Sequence, residues 1–140
     1  MFKKVLVPVD IQRPGLAGQI LKTVNQMVAG SDSQVHVLTV MPGYGMPIVA
    51  TYFPADAKKT VKQELEVKLS ALVEKHLDRP ATTSVVEGKR AEEILKVAKR
   101  RKVDLILIGS QSRGKLDDAF LGSCGTKVAQ RADCSVLVIR

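Results

Sequence analysis

The sequence predicts a single α/β domain built on one mainly parallel sheet with helices on both faces. Three observations predict it. Short, β-branched apolar runs alternate along the chain with longer stretches whose apolar residues recur every three or four positions. That alternation of strands and helices is the pattern of a parallel sheet wound on both sides. The chain has 140 residues, 45% hydrophobic and 26% charged, which suits one globular core and excludes disorder, collagen and coiled coil.

The elements follow in order. Lys3–Val9 reads KKVLVPV and suits a buried strand. Pro14 and Gly15 mark a turn and a helix start, and Leu16, Ile20, Val24, Met27 and Val28 follow at helical spacing until Gly30. Gln34–Val40 reads QVHVLTV, a second strand. Met41–Pro54 holds three Pro and two Gly in 14 residues, so it reads as a loop. Asp56–Leu77 is the longest helical pattern, with a stripe of Val61, Leu65, Leu69, Leu72, Val73 and Leu77, and Asp78-Arg79-Pro80 stops it. Ala81–Glu87 reads as a third strand. A helix from Arg90 to Lys102 turns Ile94, Leu95 and Ala98 to the core. Val103–Ile108 is a fourth strand, a loop runs to Leu121, a helix spans Gly122–Arg131, and Ser135–Ile139 is the last strand. In such sheets ligands bind at the carboxyl ends of the strands, where the strand order switches.

No apolar run approaches the roughly 18 residues of a membrane span. The start, MFKKVLVPVD, lacks the apolar core of about 7–15 residues that a signal peptide needs. Two cysteines do not make a disulfide framework, and a cytoplasmic location is expected. The net charge of +8 suits an anionic partner or a solvated basic surface. Aromatic residues make up 4%, so base-stacking platforms are not expected, nor is nucleic-acid binding.

Two glycine loops could carry chemistry. Gly109-Ser-Gln-Ser-Arg-Gly114-Lys115-Leu116 nearly spells a P-loop, but Leu116 stands where a magnesium-binding hydroxyl belongs. Gly122 also interrupts before a helix is established, and one strand is all that follows. The second loop is Gly122-Ser123-Cys124-Gly125-Thr126. Small residues opening a helix leave backbone N–H groups free at the positive end of the helix dipole, an anion site. Ser123 could cap the helix there or donate to a phosphate.

The segment GSQSRGKLDDAFLGSCGTKVAQRADCSVLVIR resembles the signature of the universal stress protein family. KKVLVPVD, VHVLTV and VDLILIGS resemble its first, second and fourth strands. The resemblance covers nearly the whole chain, 1–140. It implies a Rossmann-like open sheet of five strands (adenine nucleotide alpha hydrolase-like) in the order 3-2-1-4-5. The family's ATP-binding members carry G-x-x-G, nine residues, then G-[ST]. Gly109 and Gly122-Ser123 match at the right distance, while Ser112 replaces the second glycine. That change adds a side chain where backbone approaches phosphate, although its hydroxyl could donate to a phosphate oxygen.

Position by position, the resemblance implies that Asp10 faces the adenine or ribose edge, with Pro8 and Val9 lining the same pocket. Val40 would read adenine through its backbone, and Ile108 and Gly109 would lie under the ribose. Gln111, Ser112, Gly122, Ser123 and Cys124 would surround the phosphates, and Arg113 would add charge. Read without the family, Asp10 is a turn residue. Pro8 is unusual inside a strand because it donates no ladder bond, which fits a strand end near a ligand. The resemblance also implies a homodimer in which Ser135, Val136, Leu137, Val138 and Ile139 pair with their copy. An apolar edge strand is a liability unless paired, which points the same way.

Other residues have plainer readings. Cys124 near a helix start could sense redox, but reads better as a buried small residue, and Cys134 as core. His36 and His76 belong to no ligand cluster, so no metal site is expected. Asp117 and Asp118 read as solvated. The run Lys99-Arg100-Arg101-Lys102 closes a helix, where cations suit the dipole. The expected function is a regulator of the universal stress type that binds ATP, AMP or ADP, with or without magnesium, between strands one and four. The regulated partner is not named by the sequence. A ligand-free dimeric scaffold is one alternative. A slow ATP hydrolase is another, with Asp117, Asp118 and Gln111 as its nearest candidates.

Overall fold

The apolar run near the start of the chain forms β1 (Lys4–Pro8) at the centre of a parallel sheet in a computed structural model that describes residues 2–43, 55–110 and 122–140. In chain order the other elements are α1 (Pro14–Val28), β2 (Gln34–Pro42), α2 (Ala55–His76), β3 (Thr82–Gly88), α3 (Arg90–Arg101), β4 (Leu105–Gly109), α4 (Ser123–Arg131) and β5 (Ser135–Ile139). The strand order is β3-β2-β1-β4-β5, every pair is parallel, and the fold is the α/β class that the sequence predicts.

Successive strand residues point to opposite faces, so each apolar run feeds two cores. Val5 and Val7 join Val35, Val37, Leu105 and Leu107 beneath α1 and α2. Leu6 joins Leu38, Ile106 and Ile108 beneath α3 and α4, where Ile94, Val97 and Val128 are buried. Both faces are covered, which is why these strands read as continuous apolar runs. Fully burying each such side chain contributes roughly 1.5–3 kcal/mol.

Boundaries differ from expectation where the chain is tied by pairing. β2 runs on through Met41 and Pro42, which the sequence assigns to a loop, because they pair with Glu87 and Gly88 of β3. The rest of that loop, 44–54, lies outside the described residues. α3 ends in Lys102 at φ 54, a left-handed non-glycine whose N–H reaches the Ala98 and Lys99 carbonyls. Met27, expected in the apolar stripe of α1, is 41% exposed, and Leu95 is half-buried while Val97 takes the core position. The His76 ring lies close to Gly18, where a Cβ would meet its Cε1 at 2.9 Å, so α1 and α2 approach there.

At the switch in strand order β1 runs out of donors toward β4. The Lys4 carbonyl accepts the Asp104 N–H at 3.0 Å, while Val9 donates to the Leu38 carbonyl at 2.8 Å. Even-numbered residues of β1 therefore address β4 and odd-numbered ones β2. The next even position after Leu6 is Pro8, which has no N–H. The β1–β4 register accordingly spans Val5↔Leu105 and Leu6↔Ile106, whereas β1–β2 continues to Pro8↔Leu38. Beyond Leu6 the two central strands part.

At the opposite end of the sheet His36 is buried, with Nδ1 2.6 Å from the Thr82 hydroxyl and Nε2 2.8 Å from the Ser84 hydroxyl. Burial, aided by the charges of Arg101 and Arg100, lowers its pKa from 6.5 to about 4. The folded state keeps the imidazole neutral, so the unfolded chain takes up the proton first as pH falls. Stability should be level above pH 6.5 and should fall between 6.5 and about 4. Urea unfolding of the wild type and His36→Gln at pH 7.5 and 4.5 checks this. The wild type should lose about 2 kcal/mol more than the variant between the two conditions; equal losses would contradict it.

Candidate functional site

Where β1 and β4 part, a cleft of about 230 Å³ opens at the carboxyl ends of the strands. It is lined from β1 and its exit by Pro8, Val9 and Asp10, from β2 by Leu38 and Val40, and from β4 by Ile108 and Gly109. α1 contributes Arg13, Leu16, Ala17 and Ile20, α3 contributes Arg90 and Ile94, and the start of α4 contributes Gly122, Ser123, Cys124 and Gly125. Nine sequence-predicted positions thus meet around one space: Pro8, Val9, Asp10, Val40, Ile108, Gly109, Gly122, Ser123 and Cys124. Gln111, Ser112 and Arg113 lie outside the described residues, as do Asp117, Asp118 and most of the near P-loop.

The connection between β1 and α1 is a built turn. Asp10 Oδ1 accepts the Gln12 N–H at 2.9 Å, and the Asp10 carbonyl accepts the Arg13 N–H at 3.0 Å. The turn reading of Asp10 and its place in the cleft are therefore both satisfied. The buried Thr39 hydroxyl donates to the Val9 carbonyl at 2.9 Å, which holds the strand exit against β2. Gly109 is small for a reason: a Cβ there would stand 2.6 Å from Ile20 Cδ1, so α1 closes on β4 at the cleft floor.

α4 opens without a cap. Gly122 takes φ 83 and ψ 161, backbone that side chains strain to adopt, and no side chain caps the helix. Ser123 is the first helical residue rather than the cap, which corrects one sequence reading. The first intrahelical bond is Thr126 N–H to the Gly122 carbonyl, 3.0 Å. The N–H groups of Ser123, Cys124 and Gly125 precede it and have no partner within the helix. α1 also starts without a side-chain cap, at Arg13, and α3 at Lys89. Because every strand is parallel, the helices that follow β1, β3 and β4 all present their N-termini at this end. Neither α1 nor α4 carries an acidic residue in its first turn.

Two cations went unnoticed in the sequence. Arg13 and Arg90 both line the cleft, and Arg90 lies 3.4 Å from Asp10 Oδ2. Nothing in their local pattern marks them; they reach the site because α1 and α3 both begin there. Asp10 is the one carboxylate on the described lining. The cleft is therefore apolar along Val9, Leu38, Val40, Ile94 and Ile108, and positive at its helix termini.

Fold and cleft define a doubly wound α/β protein with an anion-attracting crevice at its switch point. The family model described as the universal stress protein family matches residues 1–140. A universal stress protein of Thermus aquaticus is 30% identical over 142 residues, covering 100% of both chains. The solved structure of the protein MJ0577 of Methanocaldococcus jannaschii is similar at a TM-score of 0.80 and 26% identity, covering 99% of this chain and 96% of that one. A universal stress protein structure from Archaeoglobus fulgidus, in complex with dAMP, shares the fold at a TM-score of 0.65 and 17% identity, covering 99% of this chain and 98% of that one. The chain belongs to the universal stress protein family.

Cys124 and Cys134 are both free and half-buried. Burial raises the Cys124 thiol above its ordinary range, against the pull of Arg90 and Lys127. Burial first, then Asp104 and Asp133, raises Cys134 as well. Neither is an activated thiolate. Iodoacetamide labelling of each cysteine at pH 7.5, followed by mass spectrometry, should run slower than for a free model thiol. Labelling of Cys124 faster than the model would contradict the burial account.

Proposed function

We propose that this protein binds an adenine nucleotide, ATP in the first instance, in the switch-point cleft and serves as a nucleotide-dependent regulator in the stress response. The observation that carries the reading is the start of α4 without a side-chain cap, with three N–H groups and the positive-φ Gly122 set against the cleft. The phosphates sit on Ser123, Cys124 and Gly125, and the adenine lies among Val9, Val40 and Ile108. Asp10 and Gly109 flank the ribose. The dAMP complex of the A. fulgidus relative supports an adenine nucleotide as the ligand class. AMP and ADP are the shorter ligands of the same kind.

Asp10 is engaged by Arg90, so the described lining suits a phosphate better than a bare magnesium ion. Magnesium would come with the triphosphate rather than be held by the chain. Residues 111–113, outside the described residues, would complete the phosphate loop. The exposed edge of β5 would pair with a second copy, and Leu137, 36% exposed, would be covered there. No described helix is long and apolar enough to cross a membrane, and a cytoplasmic regulator is consistent with that. The signal passes to a protein partner through nucleotide-dependent change at the dimer face. It requires different affinity of the nucleotide for two states.

Mass spectrometry of small molecules released by denaturing the fresh protein, followed by calorimetric titration with ATP, tests the reading. Adenine nucleotide near one per chain, or micromolar binding of about −8 kcal/mol, is expected. Ser123→Trp should abolish it by filling the space before the α4 N–H groups. An empty wild type with no heat of binding would leave a ligand-free scaffold, and normal ATP binding by Ser123→Trp would put the phosphate site elsewhere.

A further inference from the structure

Among the described residues the cleft holds one ion pair, which joins the start of α3 to the exit of β1. Arg90 is the first residue of α3, and Asp10 leaves β1. Arg90 Nη2 lies 3.4 Å from Asp10 Oδ2, with the side chains 35% and 23% exposed. Charge-assisted hydrogen bonds are shorter, about 2.7–2.9 Å, and a guanidinium has five donors to place. A partly exposed pair this long contributes little. Asp10 does not depend on it for position, because its other oxygen is held by the Gln12 N–H at 2.9 Å.

The Arg90 charge is also felt at the start of α4. It acts on Cys124, in the first turn of that helix, pulling the thiol down against burial. Arg90 thus lines the same cleft as the carboxylate of Asp10 and the N–H groups proposed to seat phosphate. A phosphate there carries more charge than a carboxylate and matches the guanidinium fork.

We propose that Arg90 is a transferable clamp: it rests on Asp10 and moves to the ligand's phosphate when nucleotide binds, freeing Asp10 to accept from the ribose hydroxyls. This rests on the nucleotide reading above and deepens it. Arg90 then makes the site select for phosphorylated ligands, since adenosine alone gives the guanidinium no reason to leave Asp10. A ligand with no differential contact shifts nothing.

The test is calorimetry of the wild type, Arg90→Gln and Arg90→Lys with adenosine, AMP and ATP, without magnesium, at low and high salt. Melting temperatures establish that each variant is folded, which the half-buried first position of α3, outside the apolar core, makes the expected result. Arg90→Gln should lose about tenfold or more in affinity for AMP and ATP. It should bind adenosine as well as the wild type or better, and show a flatter salt dependence. Arg90→Lys should retain part of the phosphate affinity, as a point charge does without the fork. ATP affinity unchanged in Arg90→Gln, with the wild type binding, would overturn the clamp and leave the nucleotide reading standing. Equal losses for adenosine and ATP would make Arg90 structural and overturn the clamp equally. A wild type that binds no adenine nucleotide would sink both.

Discussion

Parallel strands exchange hydrogen bonds on alternate residues, and Pro8 occupies the position of β1 where the next bond to β4 would need an N–H. The two central strands are paired at Val5 and Leu6 and part beyond them, while β1 stays tied to β2 through Pro8 and Val9. That parting is the switch-point crevice. The Thr39 hydroxyl on the Val9 carbonyl and the Asx turn at Asp10 then fix the strand exit as one wall of the site. Gly109 lets Ile20 close the floor. The missing donor at Pro8 thus falls at the switch in strand order, where such sheets open a crevice.

The same parallel arrangement decides the electrostatics. Every helix that follows a strand starts at the carboxyl end, so α1, α3 and α4 bring their positive ends to the crevice together. At α3 the field is partly met by Glu92 and Glu93, but α1 and α4 have no acidic residue in the first turn. Arg13 and Arg90 add to it. The basic run Lys99–Arg101 lies instead in the last turn of α3, far along that helix from its cleft-facing start, and complements the helix dipole. Among the described residues, cations therefore stand both at the cleft and at the far terminus of α3.

Much of this was legible in the sequence, for identifiable reasons. Strands buried on both faces read as unbroken apolar runs, and the Lys3–Val9 and Val103–Ile108 runs placed the two central strands within two residues. The strand order rested on family resemblance, because periodicity does not encode which strands are neighbours. Gly122 and Ser123 were legible as a helix start, cap or anion site, because small residues opening a helix leave its first N–H groups free. Three things were not. Met41 and Pro42 looked like loop, and only pairing with β3 makes them strand. Lys102 ends α3 in a left-handed conformation that sequence assigns to glycine. Arg13 and Arg90 looked like ordinary surface charges, since long side chains are brought to a site by the fold and not by spacing.

The central claim is that the crevice at Pro8 is where an adenine nucleotide binds, with its phosphates on α4. Amide chemical shifts of the isotopically labelled protein, followed through a titration with ATP, test it most directly. The account predicts the largest shifts at Val9, Asp10, Val40, Ser123, Cys124 and Gly125, with little change in β5 or the last turn of α3. Shifts centred on Lys99, Arg100 and Arg101, or none at a saturating concentration, would contradict it.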